Sequence, residues 1–398
     1  MNILYNTEDY FVNNFKEYFS KLDYHLSLPK INTLAHFLPA IVNAENITTL
    51  DISKVFQNNS DLINIESIKK KLWRFLNNKS FHGIDLFNSF IKDIINNIGN
   101  LKHDKLFVCF NHMFVRNNFV ILMFSLKVNN QSIPIFFKCD KTKSNRHREI
   151  DEINKKNLFS EKVIFDSIDK VIDLLAPLNS QIIFLADRWF CNLKLMKHIH
   201  DKGCFFAIRA KVNSSIKFLI YDKKEGHDVY KSFSDLPIQI HHSLYYKDIP
   251  FGSFKFACNL AISRSITCPD DPYFILTNLE PNIAIREYNH RFGSIEMLFK
   301  SQKTNGFNLE KTHTRNIIAF ENLYSLVCIA NVWLTILGVD YIKNYRHYKK
   351  KVNIRYIRKS NNKFEKILSD FNLGLTLFKR LYNSTINFLI KCNMKLYL

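Results

Sequence analysis

Asp187 and Glu296 are the two carboxylates whose positions in the sequence suit metal-dependent chemistry. Asp187 directly follows a continuous apolar run, residues 181–186, which is typical of a buried strand. Burying a lone carboxylate is costly, whereas ligands collect at the carboxyl ends of strands in α/β sheets. Two carboxylates that hold Mg²⁺ or Mn²⁺ are what two-metal phosphodiester chemistry requires. We therefore predict that both acids are metal ligands.

Glu296 lies in a stretch, residues 288–303, whose pattern predicts a helix that begins near Ser294 and ends before residue 305. On such a helix Glu296, Lys300 and Lys303 share one face, because they are spaced at i, i+4 and i+7. One acid with several cations favours a site that holds a metal ion and a phosphodiester together. An exposed helix with ordinary ion pairs is the alternative, since surface pairs are common.

The balance of charges favours a polyanionic partner. The chain has 398 residues, with 56 Lys and Arg against 36 Asp and Glu, which gives a net charge of +20. Nucleic acid is the first candidate for such a partner and an anionic membrane is the second. A hydrophobic content of 46%, with 36 Phe and 17 Tyr, is ample for packed cores and argues against disorder.

Several classes of protein are disfavoured by the sequence. Eight cysteines are scattered without a CxxC pair, so neither a zinc module nor a disulfide framework is expected, and reduced thiols in a cytoplasm are the simple interpretation. The N-terminus lacks the basic and apolar regions of a secretory signal. The longest apolar run, residues 323–339, contains polar residues and predicts a buried core helix rather than a membrane span.

Residues 1–100 carry apolar residues at helical spacing and predict a helical, DNA-binding-like N-terminal region. Within it, residues 67–76 predict a helix that Ser67 caps and that presents a basic face. This face is interpreted either as a contact with the DNA backbone or as the solvated surface of a small helical bundle. The basic residues assigned to DNA binding are Lys69, Lys70 and Arg74.

From Lys105 the pattern changes to strands. Three β-rich runs separated by short polar turns predict an antiparallel meander. They cover residues 106–110, 119–128 and 133–138. A charged helical stretch over 148–175 follows, and the strand before Asp187, a helix over 193–200 and a strand over 204–209 then form a β-α-β unit. The predicted fold class is α/β (α+β), with a ribonuclease-H-like mixed sheet.

Residues 210–280 alternate polar and apolar side chains and predict a β-rich insertion, which ends in a last strand over 273–278. A basic stretch over 343–366 and a closing helix over 367–389 come after the buried helix. We thus predict a ribonuclease-H-like catalytic domain flanked by N-terminal and C-terminal helical regions. The three regions cover residues 1–100, 101–340 and 341–398.

Several motifs, in the same order along the chain, resemble bacterial insertion-sequence transposases of the DDE class, which have a β-rich insertion and a Tyr-Arg-Glu-Lys signature. The resemblance covers roughly residues 60–385. It includes the Ala-Asp-Arg motif around Asp187, the Ala-Ile-Arg motif that ends at Arg209, and the Thr-Asn pair at Thr277. The residues that match the signature are Tyr288, Arg291, Glu296 and Lys303.

The resemblance implies a ribonuclease-H-like core in which two Asp and one Glu hold Mg²⁺ or Mn²⁺. Such enzymes cleave at the ends of a mobile element and join its 3′-hydroxyls to target DNA. Asp187 matches the second acid and Glu296 the third. The partners would be double-stranded DNA (terminal inverted repeats and target) and a second copy of the chain in a synaptic complex, with no membrane, in the bacterial cytoplasm at the nucleoid. The residues assigned to DNA phosphates are Tyr288, Arg291, Lys300 and Lys303.

The chain departs from the family pattern at three positions. Four residues rather than three separate Arg291 from Glu296. On a continuous helix the extra residue moves the arginine by about 100°, so either the helix starts after it or its role changes. Trp189 stands where the family commonly has Gly. The place of the first acid is occupied by Asn111, whose carbonyl can bind Mg²⁺ but carries no negative charge.

Neither Asp104 nor Asp140 is a suitable replacement for the first acid. On the predicted meander the former is roughly 23 Å upstream and the latter roughly 10 Å across the sheet. Three functions stay open: a Mg²⁺-dependent DNA transposase, a catalytically inactive DNA-binding protein derived from one, and a nuclease on the same fold. Whether a site with Asn111 can still cleave DNA distinguishes the transposase from the inactive DNA-binding protein. Joining of a 3′-hydroxyl to target DNA distinguishes the transposase from the nuclease.

Overall fold

The structure is a computed structural model, and fifteen ranges of the chain are described. These are residues 7–44, 46–57, 64–98, 104–116, 118–128, 131–142, 158–222, 225–236, 238–240, 242–251, 256–265, 270–344, 356–358, 364–366 and 369–382. The first part of the charged stretch predicted over 148–175 and most of the basic stretch predicted over 343–366 lie outside the described residues.

The N-terminal region is helical, as its periodicity predicts. Its helices are α1 (Thr7–Lys21), α2 (Leu28–Asn43), α3 (Thr49–Gln57), α4 (Ile65–Leu76) and α5 (Gly83–Ile98). The predicted start of α4 is wrong by three residues, because Asn64 rather than Ser67 caps the helix. The Asn64 side chain accepts a 2.9 Å hydrogen bond from the Glu66 amide. Ile68 and Leu72 are buried, so the lysines between them face outward.

The predicted antiparallel meander is confirmed. It consists of β1 (Lys105–Val115), β2 (Phe119–Val128) and β3 (Gln131–Lys141). The charged stretch yields α6 (Glu161–Leu175), and the predicted β-α-β unit is β4 (Gln181–Ala186), α7 (Leu193–Asp201) and β5 (Phe205–Ala210). Because β4 pairs in parallel with both β1 and β5, the order β3-β2-β1-β4-β5 is compatible with the ribonuclease-H-like fold.

The insertion continues the central sheet instead of forming a separate one. Its strands are β6 (Phe218–Asp222), β7 (His227–Lys231), β8 (Ser243–Phe251) and β9 (Phe256–Ser263), followed by β10 (Tyr273–Thr277). β10 pairs antiparallel with β5, and the order β5-β10-β9-β8-β6-β7 extends the sheet to ten strands. The insertion is therefore joined to β5 through β10, which pairs with residues 207–210.

Helices α8 (Pro281–Tyr288), α9 (Ile295–Lys303) and α10 (Ile317–Asn344) follow the sheet. A short hairpin of β11 (Tyr356–Arg358) and β12 (Phe364–Lys366) precedes the closing helix α11 (Asp370–Tyr382). The remainder of the closing helix predicted over 367–389 lies outside the described residues, apart from Ser369.

Helix α10 is apolar on all sides because it is the axis of the core. Phe320 stacks on Phe119 of the meander with ring centroids 4.0 Å apart, and Trp333 meets Phe15 of α1 at 4.9 Å. One continuous cluster of buried side chains extends from Val12 to Phe378. Within the described residues α10 is the one helix long and apolar enough to cross a membrane, and its apolar segment is entirely buried inside the protein.

Two glycines allow α10 and α11 to cross in backbone contact. A Cβ added to Gly338 would overlap the carbonyl oxygen of Asp370, and one added to Gly374 would overlap that of Leu334. Neither neighbour is a flexible side-chain end, so the helices would have to move apart to accept any larger residue.

We expect Gly374→Ala to lower the free energy of unfolding by about 1 to 3 kcal/mol, the usual cost of overpacking. Urea denaturation followed by circular dichroism measures this change. Thr376→Ala on the same helix is the matched control, because it removes only a local hydrogen bond to the Asn372 carbonyl. Equal stability of the Gly374 variant and the wild type would contradict the close crossing.

Candidate active site

Asn111 and Asp187 lie side by side at one edge of the central sheet. The parallel register of β1 and β4 ends with Phe110 opposite Ala186, so the next residue of each strand is Asn111 and Asp187. Neighbouring strands are about 4.8 Å apart, and residues at one register level point to the same face. The structure thus brings together the positions that the sequence assigned to the first and second acids.

Asn111 lies on the sheet face that packs against α9. Two residues earlier on β1, Cys109 places its Sγ 3.3 Å from the Ser294 Oγ at the start of α9, and alternate residues of a strand share a face. Burial raises the pKa of the Cys109 thiol to about 11, so this contact is made by a neutral thiol. The Asn111 carbonyl accepts a 2.8 Å hydrogen bond from the His112 amide, which orients the side chain locally.

A break in the chain before α9 resolves the extra residue between Arg291 and Glu296. A short 3-10 turn ends at Arg291, Gly293 adopts a φ of 70°, and the new helix begins at Ile295. The left-handed conformation is one that glycine adopts without steric cost. The predicted helix bounds are confirmed, and of the two readings of the spacing, the structure supports a helix that starts after the arginine.

Arg291 joins the two carboxylates across this break. Its Nη1 lies 2.8 Å from Glu296 Oε1 and its Nη2 lies 3.6 Å from Asp187 Oδ2. The Arg291 side chain is 8% exposed, against 20% for Asp187 and 46% for Glu296, so the cation lies beneath the acids. The residues that the sequence placed on separate elements therefore form one cluster, with the arginine as the shared partner.

A second basic cluster next to Asp187 was missed by sequence reasoning. Asp271 binds Arg209 at 2.7 Å and Arg188 at 3.0 Å, and Arg209 also covers the Tyr273 ring at 4.2 Å. Partial burial raises the pKa of Asp271, but the two guanidinium groups lower it by more. The net pKa is below its ordinary value, so the carboxylate stays charged. Arg209 belonged to a motif that was noted in the sequence, but only the pairing of β5 with β10 reveals its partner.

Trp189, which stands where glycine is common, covers a lysine. Its backbone amide donates a 2.9 Å hydrogen bond to Asp187 Oδ1, and Lys211 Nζ lies 3.9 Å from the centre of its ring. The carboxylate caps the turn that carries the tryptophan, so one oxygen of Asp187 is occupied by the backbone and the other faces Arg291.

Tyr288 differs from the prediction that it contacts a phosphate. It is 1% exposed and packs against Tyr273 and Phe292, with ring centroids at 6.5 and 5.7 Å. Burial raises the pKa of its hydroxyl to about 12. In this structure the ring lies in the protein interior, and its hydroxyl is not presented on the surface.

The predicted lysines of the site differ in their surroundings. Lys300 is exposed on α9, whereas Lys303 is half-buried and binds Glu310 Oε1 at 2.8 Å. On α4, Lys70 and Arg74 are exposed, and Lys69 lies 3.3 Å from Glu66 Oε1. The structure does not bring α4 into the cluster of carboxylates, so the basic residues belong to two separate surfaces.

The donor set fits a divalent metal only in part. Among the described residues no group of three His, Cys, Asp or Glu side chains is arranged to hold a metal ion. Two carboxylates and an amide carbonyl are nevertheless at hand, and oxygen ligands of this kind suit Mg²⁺ and Mn²⁺. Arg291 supplies positive charge where a metal would supply it, so a metal held by both acids would have to compete with the arginine.

Residues 166–333 match the family model described as Transposase DDE domain. The match supports a DDE transposase. It includes Asp187, Arg291 and Glu296, and it begins after Asn111. A search of curated proteins found no match to the chain. A domain of this family suggests an enzyme that processes nucleic acid, with DNA as its substrate.

Glu287 fixes the segment that carries Arg291. It is 4% exposed, and its carboxylate lies 3.1 Å from Lys105 Nζ at the start of β1 and 3.0 Å from Arg286 Nη2. Burial raises the pKa of Glu287, but the hydrogen bonds from Arg286 and Lys105 lower it more, so the net pKa is below its ordinary value of 4.5. His290, 3.4 Å away, has a lowered pKa because of burial.

We expect Glu287→Gln to reduce the free energy of unfolding at pH 7 by about 1 to 3 kcal/mol, because buried hydrogen bonds to a charged group are lost. The folded-state pKa is lowered, so this stability is present above pH 4.5 and disappears as the pH falls through the folded-state value. Urea denaturation at several pH values measures both effects. Asp201→Asn, which breaks an exposed pair with Lys197, is the control, and an equal loss in both variants would contradict the assignment.

Proposed function

We propose that this protein is a DNA transposase of the DDE class that acts at the ends of an insertion sequence, and that its own cleavage and strand transfer are weakened by Asn111. The observation that supports this best is the cluster of Asn111, Asp187 and Glu296 at one edge of the sheet, of which Asp187 and Glu296 lie within the residues that match a DDE domain. The substrate would be terminal inverted repeats and target DNA, bound by two copies of the chain in a bacterial cytoplasm.

Asp187 and Glu296 would hold Mg²⁺ or Mn²⁺. When bound, a divalent ion supplies Lewis-acid stabilisation of the phosphate oxygens and lowers the pKa of an attacking water or 3′-hydroxyl. The protein's part is to place the two carboxylates beside the DNA backbone. Burial on one side and the DNA on the other would exclude water from the site.

Asn111 reduces the negative charge that such a site can offer. With an amide at the first position the chain provides two carboxylates instead of three, and the carbonyl oxygen already accepts a hydrogen bond from the His112 amide. Arg291 cancels a further part of the charge, since it contacts both remaining acids. Both features would lower the affinity for a divalent ion, and both predict slow cleavage and strand transfer.

A non-catalytic DNA-binding protein derived from a transposase is the second candidate. The Arg291 contacts favour it, because the cluster carries its own counter-charge in the free protein. The net charge of +20 and the exposed Lys300, Lys70 and Arg74 suit a DNA backbone in either case. The division into regions 1–100, 101–340 and 341–398 stays part of this proposal, with DNA contacts in the first and second.

We expect Asn111→Asp to increase Mg²⁺-dependent cleavage of a terminal-repeat duplex by about 100-fold or more, because it restores a carboxylate beside Asp187. Single-turnover cleavage on a gel measures the rate, and the appearance of joined products separates a transposase from a nuclease. Wild type that already cleaves as fast as Asn111→Asp would contradict the weakened site.

Two further measurements control the cleavage experiment. Asn111→Asp combined with Glu296→Gln should abolish the gain, since the third acid is then lost. Binding to the same duplex should be equal in all variants and should weaken steeply between low and moderate salt, because several phosphates are neutralised. Binding that hardly changes with salt would argue against DNA as the partner.

We expect Arg291→Gln to bind Mn²⁺ at least about tenfold more tightly than the wild type in the absence of DNA, because the glutamine removes a competing positive charge. Isothermal titration calorimetry measures the dissociation constant. Arg286→Gln is the control, since its guanidinium group contacts Glu287 and neither candidate metal ligand. Equal affinity of Arg291→Gln and wild type would show that the arginine does not compete with the metal.

A further inference from the structure

A groove lies between the N-terminal helices and residues 312–316. It has a volume of about 360 Å³, within the size range of small-ligand sites. One wall is Trp73 of α4, which is 60% exposed although it is one of the largest apolar side chains. The floor is apolar and consists of Ile47, Ile52, Leu76, Ala319 and Leu323.

A basic cavity adjoins the apolar groove. It has a volume of about 220 Å³ and is lined by Arg116, Asn118, Thr312, His313 and Arg315. The last three residues also line the apolar groove, so the two spaces share a wall. Among the residues that the structure describes, none of those lining either space carries a carboxylate. The pair of cavities therefore offers an aromatic, apolar compartment beside a cationic one.

Hydrogen bonds fix the shared wall in place. Arg116 Nη1 donates to the Thr312 carbonyl at 2.5 Å and contacts His313 Nδ1 at 3.0 Å. On the other side, Asn316 Nδ2 donates to Asn77 Oδ1 at 2.9 Å and ties the segment to the end of α4. The Arg116 backbone is in turn held by Glu310, whose carboxylate accepts from its amide at 2.9 Å. The groove is thus formed before any ligand binds.

The chemistry of the two compartments matches one nucleotide. An exposed aromatic ring with an apolar floor suits a nucleobase, because every base has a face that stacks on an aromatic side chain. Arginine and histidine side chains suit the phosphate next to it. Lys70 lies about one turn before Trp73 on α4, and Arg74 directly follows it. The helix therefore carries positive charge on both sides of the ring.

We propose that this groove binds an unpaired nucleotide of single-stranded DNA, with the base against Trp73 and the backbone phosphate at Arg116 and Arg315. A duplex keeps its bases stacked on one another and does not present a free base face, so the groove selects single-stranded segments. The proposal rests on the proposed function only in taking DNA as the partner. It assigns a binding site on a surface that the carboxylates do not share.

Fluorescence anisotropy of a labelled oligothymidylate, measured with the full chain, tests the site. We expect Trp73→Ala to weaken binding about tenfold or more, and Trp73→Phe to retain most of the affinity, because the ring stacks on a base. Arg315→Gln should make the slope of log affinity against log salt shallower by about one, because one phosphate contact is lost. Tyr221→Ala, which removes an equally exposed aromatic ring on β6, is the matched control and should bind as the wild type.

An abasic oligonucleotide of the same length separates base stacking from contacts with the backbone. Its binding should be the same in wild type and Trp73→Ala, since it has no base to stack. The proposal would be overturned if wild type and Trp73→Ala bound oligothymidylate with equal affinity. It would also be overturned if Trp73→Ala lost as much affinity for the abasic strand as for oligothymidylate, or lost affinity for duplex DNA alone. Because binding is measured without metal, these results do not depend on cleavage, and a protein that cleaves nothing can still support the site.

Discussion

The contact of one arginine with two carboxylates is the interaction on which the candidate site depends. Arg291 is buried, and its guanidinium group reaches Glu296 on α9 and Asp187, which directly follows β4. A buried cation without partners would be strongly destabilising, so the acids stabilise the arginine as much as it stabilises them. The contact ties the segment before α9 to the end of β4. The positive charge of Arg291 also offsets part of the negative charge of Asp187 and Glu296.

The sheet and α10 provide the rigid frame that positions the residues of the candidate site. The register of β1 and β4 places Asn111 beside Asp187, and the Cys109–Ser294 contact sets the start of α9 over the same face. Helix α10 is buried between the meander, the N-terminal helices and α11, where glycines bring two backbones together. Because packed interiors transmit small displacements, the position of Glu296 depends on these distant contacts.

Two surfaces with different chemistry follow from this frame. The edge of the sheet presents carboxylates with cations around them, as expected where phosphodiester bonds are handled. The groove beside Trp73 presents an aromatic ring with cations and, among its described residues, no carboxylate, as expected where a nucleic-acid strand is held without being cut. Under the proposed function, both surfaces would act on one partner, DNA.

The sequence by itself determined the elements and their order, because periodicity and turn residues are local. It predicted the meander, the β-α-β unit, the buried helix over 323–339 and the helix start at Ser294, and all are found. It also singled out Asp187, because a lone carboxylate after a buried strand is costly, and Glu296, because its predicted helix face combines one acid with several cations. Only the tertiary structure decided that Tyr288 is buried, that Arg291 lies between the acids and that Arg209 is paired with Asp271. These facts depend on distances between residues far apart in sequence, which strand pairing and packing set and which no local pattern encodes.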